Sequence, residues 1–270
     1  MNPEHRVQLR RHGADTWALT LVLGTLAAVT VAGFFLLDFR GIDLGQAFTR
    51  TFHDLGTLFF SPAAVHFTWT EALLGLVLTL ALGLLTTVAG AVPAFFLGLV
   101  AARNLGPAWV GWVLRGFVAV VRAVPTVLWV LIFAIGAGLG SVAAVVGMTF
   151  HSFGYLLKAY SEAFEEIEEG TLEALKASGA GWTAIVAQAV VPSALGALTS
   201  WTFLRFEINF VTAVAMGAAA GAGGVGFDLF MAAGYYFNIR EVGALTWGIL
   251  LAAVGLEAVA TRLRAAARTQ

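Results

Sequence analysis

The chain has 270 residues, of which 59% are hydrophobic and 11% charged, and its formal net charge is −1. Soluble domains carry about a quarter charged residues, so this composition excludes a soluble globular protein and indicates an integral membrane protein. The near-neutral charge gives no indication of nucleic-acid binding, and the absence of cysteine excludes disulfides and thiolate metal sites.

The apolar residues form segments long enough to cross a membrane, which takes about 20 residues. The predicted spans are residues 17–37, 72–102, 116–139, 141–157, 194–216 and 244–261. Arg6, Arg10 and Arg11 precede the first span, which lacks a clear small-residue cleavage site, so we expect an uncleaved helix rather than a signal peptide. Pro93 lies inside the second span and predicts a tilt or a kink. The charged segment 38–71 is predicted to be amphipathic and to lie at or outside the membrane surface.

The distribution of basic residues predicts the orientation, because they accumulate on the cytoplasmic side. One side carries Arg6, Arg10, Arg11, Arg103, Arg115, Lys158, Lys176, Arg262, Arg264 and Arg268, and the other carries Arg40, Arg50 and Arg240. Both termini and the polar loop 160–192 are therefore expected in the cytoplasm. The predicted organisation is a cytoplasmic tail 1–15, a first helix and periplasmic segment 16–71, a membrane core 72–262, and a cytoplasmic tail 263–270.

The loop 160–192 is long and polar for so apolar a chain. Five acids, Glu162, Glu165, Glu166, Glu169 and Glu173, recur at spacings of three or four and predict one acidic helix face. The Ser-Gly-Ala-Gly string at 178–181 predicts a turn, because glycine adopts the left-handed conformation at helix ends. A second helix is predicted from 182 to 190, ending at Pro192. The expected product is a helix-turn-helix elbow that docks a soluble partner; the alternative is a solvated loop without a partner.

The elbow contains apolar and acidic residues at fixed spacings. They are Glu173, Ala174, Leu175, Gly179, Ala189, Val191 and Pro192. The pattern resembles the signature of ABC importer permeases, Glu-Ala-Ala, three residues, Gly, nine residues, Ile, one residue, Leu-Pro. Leu175, Ala189 and Val191 stand where that signature has Ala, Ile and Leu. These substitutions keep the positions apolar. The resemblance implies an all-α integral membrane protein with about six transmembrane helices and the type I ABC importer permease fold. It also implies that Glu173, Ala174, Gly179 and Pro192 couple the chain to an ATP-binding subunit.

Further strings narrow the resemblance. They are 101–104 with Pro107, 122–125, Leu128 with Trp129, His151 with Gly154 and Lys158, the Arg-Phe-Glu-Ile-Asn string at 205–209, and the glycine-rich 221–227. Together they resemble the phosphonate importer permease, within the methionine-importer-like family of binding-protein-dependent transport inner membrane components.

This resemblance implies a transport subunit and not an enzyme. The cargo would be a phosphonate, or a phosphite- or phosphate-like oxyanion, passed from a periplasmic or lipid-anchored binding protein into the cytoplasm across a bacterial inner membrane. Two ABC ATP-binding subunits, which hold ATP and Mg, and a second permease copy or paralogue would complete the machine among membrane lipids. The chain itself is expected to bind no cofactor and no nucleic acid.

Alternative functions follow from other features. A permease for another small solute fits the same elbow. A secondary transporter would more often show inverted repeats, and we find no convincing repeat. An intramembrane enzyme would need arranged nucleophile and base groups, and no motif arranges Ser141, His151 and Ser152.

Charged residues inside the predicted spans need a partner, a water-filled cavity or an interface. Arg122, Arg205 and Glu207 are the candidates, and Asn209 shares a helical face with Arg205 while Glu207 points elsewhere. One hypothesis is that the arginines line a pathway for a doubly charged oxyanion. The other is that these groups pair with each other or with backbone carbonyls, and we favour it because the binding protein supplies most specificity.

Gly221, Gly223, Gly224 and Gly226 permit close backbone approach and bending. They predict either a periplasmic gate or a flexible turn packed on a neighbouring helix. His66 and His151 are isolated without metal-ligand spacing, so no metal site is expected.

Overall fold

The computed structural model describes residues 14–37, 41 and 43–267, and side chains between residues 16 and 262 of these ranges. The described helices are α1 (Ala14–Leu36), α2 (Leu44–Phe60), α3 (Trp69–Ala101), α4 (Ala108–Ala123), α5 (Thr126–Ala137), α6 (Ser141–Glu165), α7 (Glu169–Ala177), α8 (Trp182–Ile185), α9 (Val191–Ala220), α10 (Gly224–Gly234) and α11 (Ile239–Ala267). A π-helical segment, Val186–Val190, joins α8 to α9. The all-α fold class is confirmed.

Five described helical stretches are long and apolar enough to cross a membrane: α1, α3, α6, the stretch from α8 through α9, and α11. The pair α4 and α5 makes a sixth if it is counted as one span. The prediction of about six transmembrane helices is thereby confirmed. Five of the arginines from which the orientation was predicted lie outside the described residues: Arg6, Arg10, Arg11, Arg40 and Arg268.

The chain divides into two compact units, residues 1–52 and 53–270. In the first unit, every described side chain of α1 is exposed, as expected of a helix that faces lipid. The helix α2 begins in this unit and is amphipathic, as predicted. Asp43 caps it, since its Oδ1 accepts hydrogen bonds from the backbone N–H groups of Gly45 and Gln46 at 3.0 and 3.1 Å.

The second unit is built around α3, α6 and α9, and glycines of α3 form its contacts with the other two helices. A Cβ on Gly90 of α3 would lie 2.9 Å from the Cβ of Ser152 on α6, and one on Gly83 would lie 3.0 Å from the backbone N of Phe210 on α9. Such small residues let helices approach closely in a membrane. The helix α3 runs through Pro93 as a single element, so this proline does not break it.

The predicted third span, 116–139, is wrong as a straight helix. The helices α4 and α5 meet at an angle of 91°, and α4 begins already at Ala108. The break falls at Val124 because a residue before proline is pushed out of the helical region, and Val124 has φ −89° and ψ 125°. Trp129 closes the corner by donating its Nε1–H to the carbonyl oxygen of Val121 at 2.9 Å.

Two sequence expectations about the acidic segment are also wrong. The helix α6 is not a short span that stops at residue 157, because it continues to Glu165. The five glutamates do not share one helix face: Glu162 and Glu165 end α6, whereas Glu169 and Glu173 lie on α7. The chain turns between these helices, where Ile167 packs against the apolar core. The glutamate spacing alone carries no sign of that turn.

The second elbow helix does not end at Pro192. From Trp182 the chain stays helical to Ala220, through α8, the π segment and α9. Proline lacks a backbone N–H and its ring clashes with the carbonyl four residues earlier. The π segment accommodates this, because the N–H of Val191 bonds to the carbonyl of Val186, five residues back.

At the opposite end of the second unit, the carboxylate of Glu241 is fully buried. It accepts hydrogen bonds from the backbone N–H groups of Val65 at 2.8 Å and His66 at 2.5 Å, and its other oxygen lies 2.8 Å from His66 Nδ1. The His66 ring stacks on Tyr236 with centroids 4.0 Å apart. Glu241 therefore fastens the segment before α3 to the start of α11.

Gly90→Val should destabilise the membrane domain, because the new Cβ would lie 2.9 Å from the backbone N of Phe153 as well as from Ser152. Overpacking costs about 1–3 kcal/mol, so thermal unfolding in detergent should occur several degrees lower. Gly255→Val is the matched control, since a Cβ at Gly255 meets no atom within 4 Å. Equal melting of the two variants would contradict the close packing of α3 on α6.

Glu241→Ala should also lower the melting temperature, because it removes the buried carboxylate that accepts the partly buried N–H groups of Val65 and His66; a hydrogen bond to a charged group contributes about 1.5–3 kcal/mol. His66→Phe should cost less, since it keeps the ring on Tyr236 and removes only one donor. Wild-type melting of Glu241→Ala would show that the buried carboxylate contributes nothing.

Candidate coupling elbow and intramembrane polar cluster

The elbow presents one exposed face and anchors the other. Glu173 and Ala174 are exposed on α7. On the opposite face, Leu172 is 2% exposed and belongs to the same apolar cluster as Phe164 and Val190. The helix α7 is therefore held against the membrane unit while its polar face stays available.

The turn after α7 depends on glycine. Gly179 adopts φ +84°, which disfavours any other residue. Its N–H bonds to the carbonyl of Lys176 at 3.0 Å, and the N–H of Ala180 bonds to that of Leu175 at 3.1 Å. These are the two bonds of a Schellman cap, which forms the turn that the string at 178–181 predicted. Of the predicted coupling residues, Glu173, Ala174 and Gly179 lie together on this exposed helix and turn, whereas Pro192 lies beyond it at the start of α9.

Three hydrogen bonds attach the elbow end of α6 and α8 to the loop after α3. Trp182 donates its Nε1–H to the carbonyl of Leu105 at 3.0 Å. The N–H of Arg103 donates to Glu165 Oε1 at 2.9 Å, and Asn104 Nδ2 donates to the carbonyl of Phe164 at 2.9 Å. These bonds connect the elbow to α3 as well as to α9.

A cleft of about 140 Å³ opens beside this loop. Its charged lining residues are Arg103, Arg115, Arg122, Lys158, Glu162 and Glu165. Arg115 Nη1 lies 3.3 Å from Glu165 Oε1, and Lys158 pairs with Glu162. The lining therefore carries more positive than negative side chains.

Farther along α9, a polar cluster lies in the interior of the second unit. Arg205 is 3% exposed, and its Nε donates to Ser152 Oγ on α6 at 3.0 Å. Asn209 Nδ2 lies 2.9 Å from the same Oγ and donates to Thr87 Oγ1 on α3 at 2.8 Å. The predicted shared face of Arg205 and Asn209 is correct, and it joins α3, α6 and α9.

Arg122 and Arg205 lie near the same aromatic ring, that of Tyr155. The Cζ of Arg122 lies 5.7 Å from the centroid of the Tyr155 ring, and the Cζ of Arg205 lies 5.2 Å from the same centroid. Among the described side chains, neither arginine forms an ion pair with a carboxylate. The half-buried Glu207 lies on α9 between Arg205 and Asn209. Whether Arg122, Arg205 and Glu207 hold helices in place by pairing with each other or with backbone carbonyls therefore stays a prediction.

The predicted gate glycines form a tight turn between α9 and α10. Gly221, Gly223 and Gly224 have positive φ of 65°, 81° and 73°. The backbone N–H of Val225 donates to Thr79 Oγ1 on α3 at 3.0 Å, and a Cβ on Gly226 would clash with the carbonyl of Val214. This geometry matches the packed-turn alternative, and a gating role stays a prediction.

Sequence reasoning missed Ser152, Tyr155 and Thr87 as neighbours of the arginines. His151, Tyr155 and Lys158 are separated by four and three residues, so one face of α6 could have been marked as polar. It also missed the contact of His66 with Glu241, which are 175 residues apart and carry no local pattern.

Comparison with known proteins identifies the family. The model of the family described as "Binding-protein-dependent transport system inner membrane component" matches residues 94–267, more than half of the chain. The chain belongs to this family. As an inner membrane component of such a transport system, it is a multi-pass permease subunit.

Among curated relatives, the chain is 33% identical over 219 residues to the phosphate-import permease protein PhnE of Mycolicibacterium smegmatis (strain ATCC 700084 / mc(2)155). That alignment covers 77% of this chain and 38% of the relative, so the chain spans well under half of that protein's length. It is 32% identical over 187 residues to the phosphite transport system permease protein PtxC of Stutzerimonas stutzeri, covering 69% of this chain and 67% of the relative.

The fold of this inner membrane component is similar to a solved structure of the MetNI methionine ABC transporter in an inward-facing conformation, with TM-score 0.65. The match is 22% identical in sequence and covers 73% of this chain and 96% of that chain. The likeness confirms the predicted type I ABC importer permease fold.

Leu172→Ala should loosen the elbow, because a buried leucine truncated to alanine costs about 2–5 kcal/mol. Backbone amides of residues 169–181 should then exchange hydrogen faster than in the wild type. Thr171→Ala, an exposed neighbour on α7, is the control. Unchanged exchange in Leu172→Ala would contradict the anchoring of α7 by this side chain.

Proposed function

We propose that this permease subunit belongs to an ATP-driven importer for a phosphonate, or for a phosphite- or phosphate-like oxyanion. A periplasmic or lipid-anchored binding protein would deliver the anion, and the permease would release it into the cytoplasm. The observation that carries the proposal is the elbow, in which α7 exposes Glu173 and Ala174 while Leu172 packs in the apolar cluster of the membrane unit. The names of the two curated relatives support the class of cargo.

The elbow would dock on an ATP-binding subunit. Glu173 and Ala174 present an exposed surface, and the Gly179 turn sets the angle between α7 and α8. Closure of the ATP-binding subunits on ATP and Mg would shift this surface. The helix that runs from Trp182 to Ala220 would carry the shift to the polar cluster. Such a switch requires contacts at the elbow that differ in energy between the two states.

The complete importer would contain two ATP-binding subunits and a second permease, either another copy or a paralogue. Large apolar side chains are exposed on several helices of the second unit, including Leu84, Phe96 and Val211. Lipid and the second permease would cover these faces. Six helices from one chain are also few to enclose a transport pathway, which favours pairing with a second permease.

The elbow end would face the cytoplasm. Arg103, Arg115 and Lys158 lie at this end, whereas Arg240 lies at the opposite end, where its Nε donates to the carbonyl of Ser61. This difference follows the positive-inside rule. Both termini would then be cytoplasmic, and the Glu241 contact would be periplasmic.

Glu173→Arg should abolish co-purification of the ATP-binding subunit with the permease, because it reverses a charge on the exposed face of α7. Gly179→Pro should do the same, because proline cannot adopt φ +84°. Asp54→Arg, an exposed charge reversal on α2, should leave co-purification intact. The elbow assignment is wrong if both elbow variants retain the ATP-binding subunit and uptake.

A further inference from the structure

We propose that Arg122 and Arg205 form, with the Tyr155 ring that they share, a transient binding site for a doubly charged phosphoryl oxyanion inside the membrane domain. This inference rests on the proposed function, since it specifies where in this permease an anionic cargo would pause. Nothing in the family match or the names of the relatives assigns such a site to these residues.

The first argument is uncompensated charge. Both guanidinium groups lie within 6 Å of one aromatic centroid, and among the described side chains neither has a carboxylate partner. A ring face attracts a cation by about 0.5–2 kcal/mol, which does not neutralise it. Arg205 is buried, and a charge in a membrane interior is expensive unless it is paired or hydrated. An anion bound between the two arginines would supply the missing charge.

The second argument is unused donors. Arg205 uses Nε for its bond to Ser152, but its Nη2 is buried and has no hydrogen-bond partner among the described residues. Within the same described part, Nδ1 of His151 is also buried without a partner. His151 lies four residues before Tyr155 and so on the same face of α6. A planar guanidinium fork matches phosphoryl oxygens in two parallel hydrogen bonds.

A purely structural role does not require the charge of Arg205. Ser152, Asn209 and Thr87 already join α3, α6 and α9 through neutral hydrogen bonds at 2.8 to 3.1 Å. Arg205 adds a single bond to this network at 3.0 Å. A neutral side chain of similar reach could make that bond without placing a buried cation in the membrane.

The site also has an outlet. Arg205 is buried, whereas Arg122 is exposed and borders the 140 Å³ cleft that reaches the elbow end. In that cleft Arg115 and Lys158 are paired with glutamates, so they hold less free positive charge than Arg122. An anion leaving Arg205 would meet Arg122 next and then a cleft in which the competing acids weaken its binding. That order favours release over retention.

The test uses the purified permease with its ATP-binding subunits in nanodiscs, and methylphosphonate as the probe. Without the binding protein, the phosphorus NMR signal of methylphosphonate should broaden with the wild type. Arg122→Gln and Arg205→Gln should each weaken this binding about tenfold or more, as expected for lost charged hydrogen bonds. Arg205→Lys should give an intermediate effect, because it keeps the charge and loses the fork. Thr87→Val is the control, because it loosens the network and leaves both arginines.

The proposal is overturned if the arginine variants assemble and bind methylphosphonate as the wild type does, or if Thr87→Val weakens binding as much as they do. Should Arg205→Gln fail to assemble, the exposed Arg122→Gln and the charged Arg205→Lys still decide the matter. Uptake into proteoliposomes, with the binding protein on one side of the membrane and ATP on the other, separates this failure from that of the proposed function. Uptake of methylphosphonate, phosphite or phosphate that is insensitive to Arg122→Gln rejects the site alone, whereas no uptake of any of them by the wild type rejects the proposed cargo.

Discussion

The constraint on which this structure depends is the continuity of the helix through Pro192. A proline inside a helix removes a hydrogen bond and normally breaks or kinks it, and a break here would separate the elbow from the membrane interior. The π segment Val186–Val190 prevents this by moving the hydrogen bond of Val191 to a carbonyl five residues back. Arg205 lies thirteen residues beyond Pro192, or about 20 Å at 1.5 Å per residue. One continuous helical stretch therefore reaches from the elbow to the buried polar cluster.

The membrane imposes a second constraint, because polar groups buried in it must find partners within the protein. Asn209, Ser152 and Thr87 meet this requirement among themselves. Arg205 meets it only in part, because its Nη2 is buried without a hydrogen-bond partner among the described residues, while its Cζ lies 5.2 Å from the Tyr155 ring centroid. A stabilising network and an incompletely satisfied cation thus occupy neighbouring positions on one helix. Helix packing accounts for the network, and the proposed anionic cargo would account for the unsatisfied cation.

Much of the fold follows from local sequence, and the exceptions have physical causes. The spans, the turn at Gly179 and the shared face of Arg205 and Asn209 were predictable, because apolar length, glycine and helical spacing each act over a few residues. The bend at Val124 was not predicted, since hydropathy does not distinguish a straight span from two short helices, although Pro125 was a visible signal. The acidic residues were assigned to one helix because spacing alone cannot detect a turn. The contacts of Tyr155 with two arginines and of Glu241 with His66 depend on tertiary packing, for which a single sequence has no signal.

Cross-linking tests most directly whether the exposed face of α7 contacts an ATP-binding subunit, as proposed, because the chain has no cysteine of its own. Glu173→Cys would place a single thiol on that face, and Asp54→Cys would place one on α2 as the control. Treatment of the full importer with a short bis-maleimide, against an ATP-binding subunit that carries surface thiols, should cross-link the first variant and not the second. A cross-link from Glu173→Cys whose yield changes when ATP is added would be the predicted result. No cross-link from Glu173→Cys in an assembled, transporting complex, or equal yields from both positions, would contradict the account.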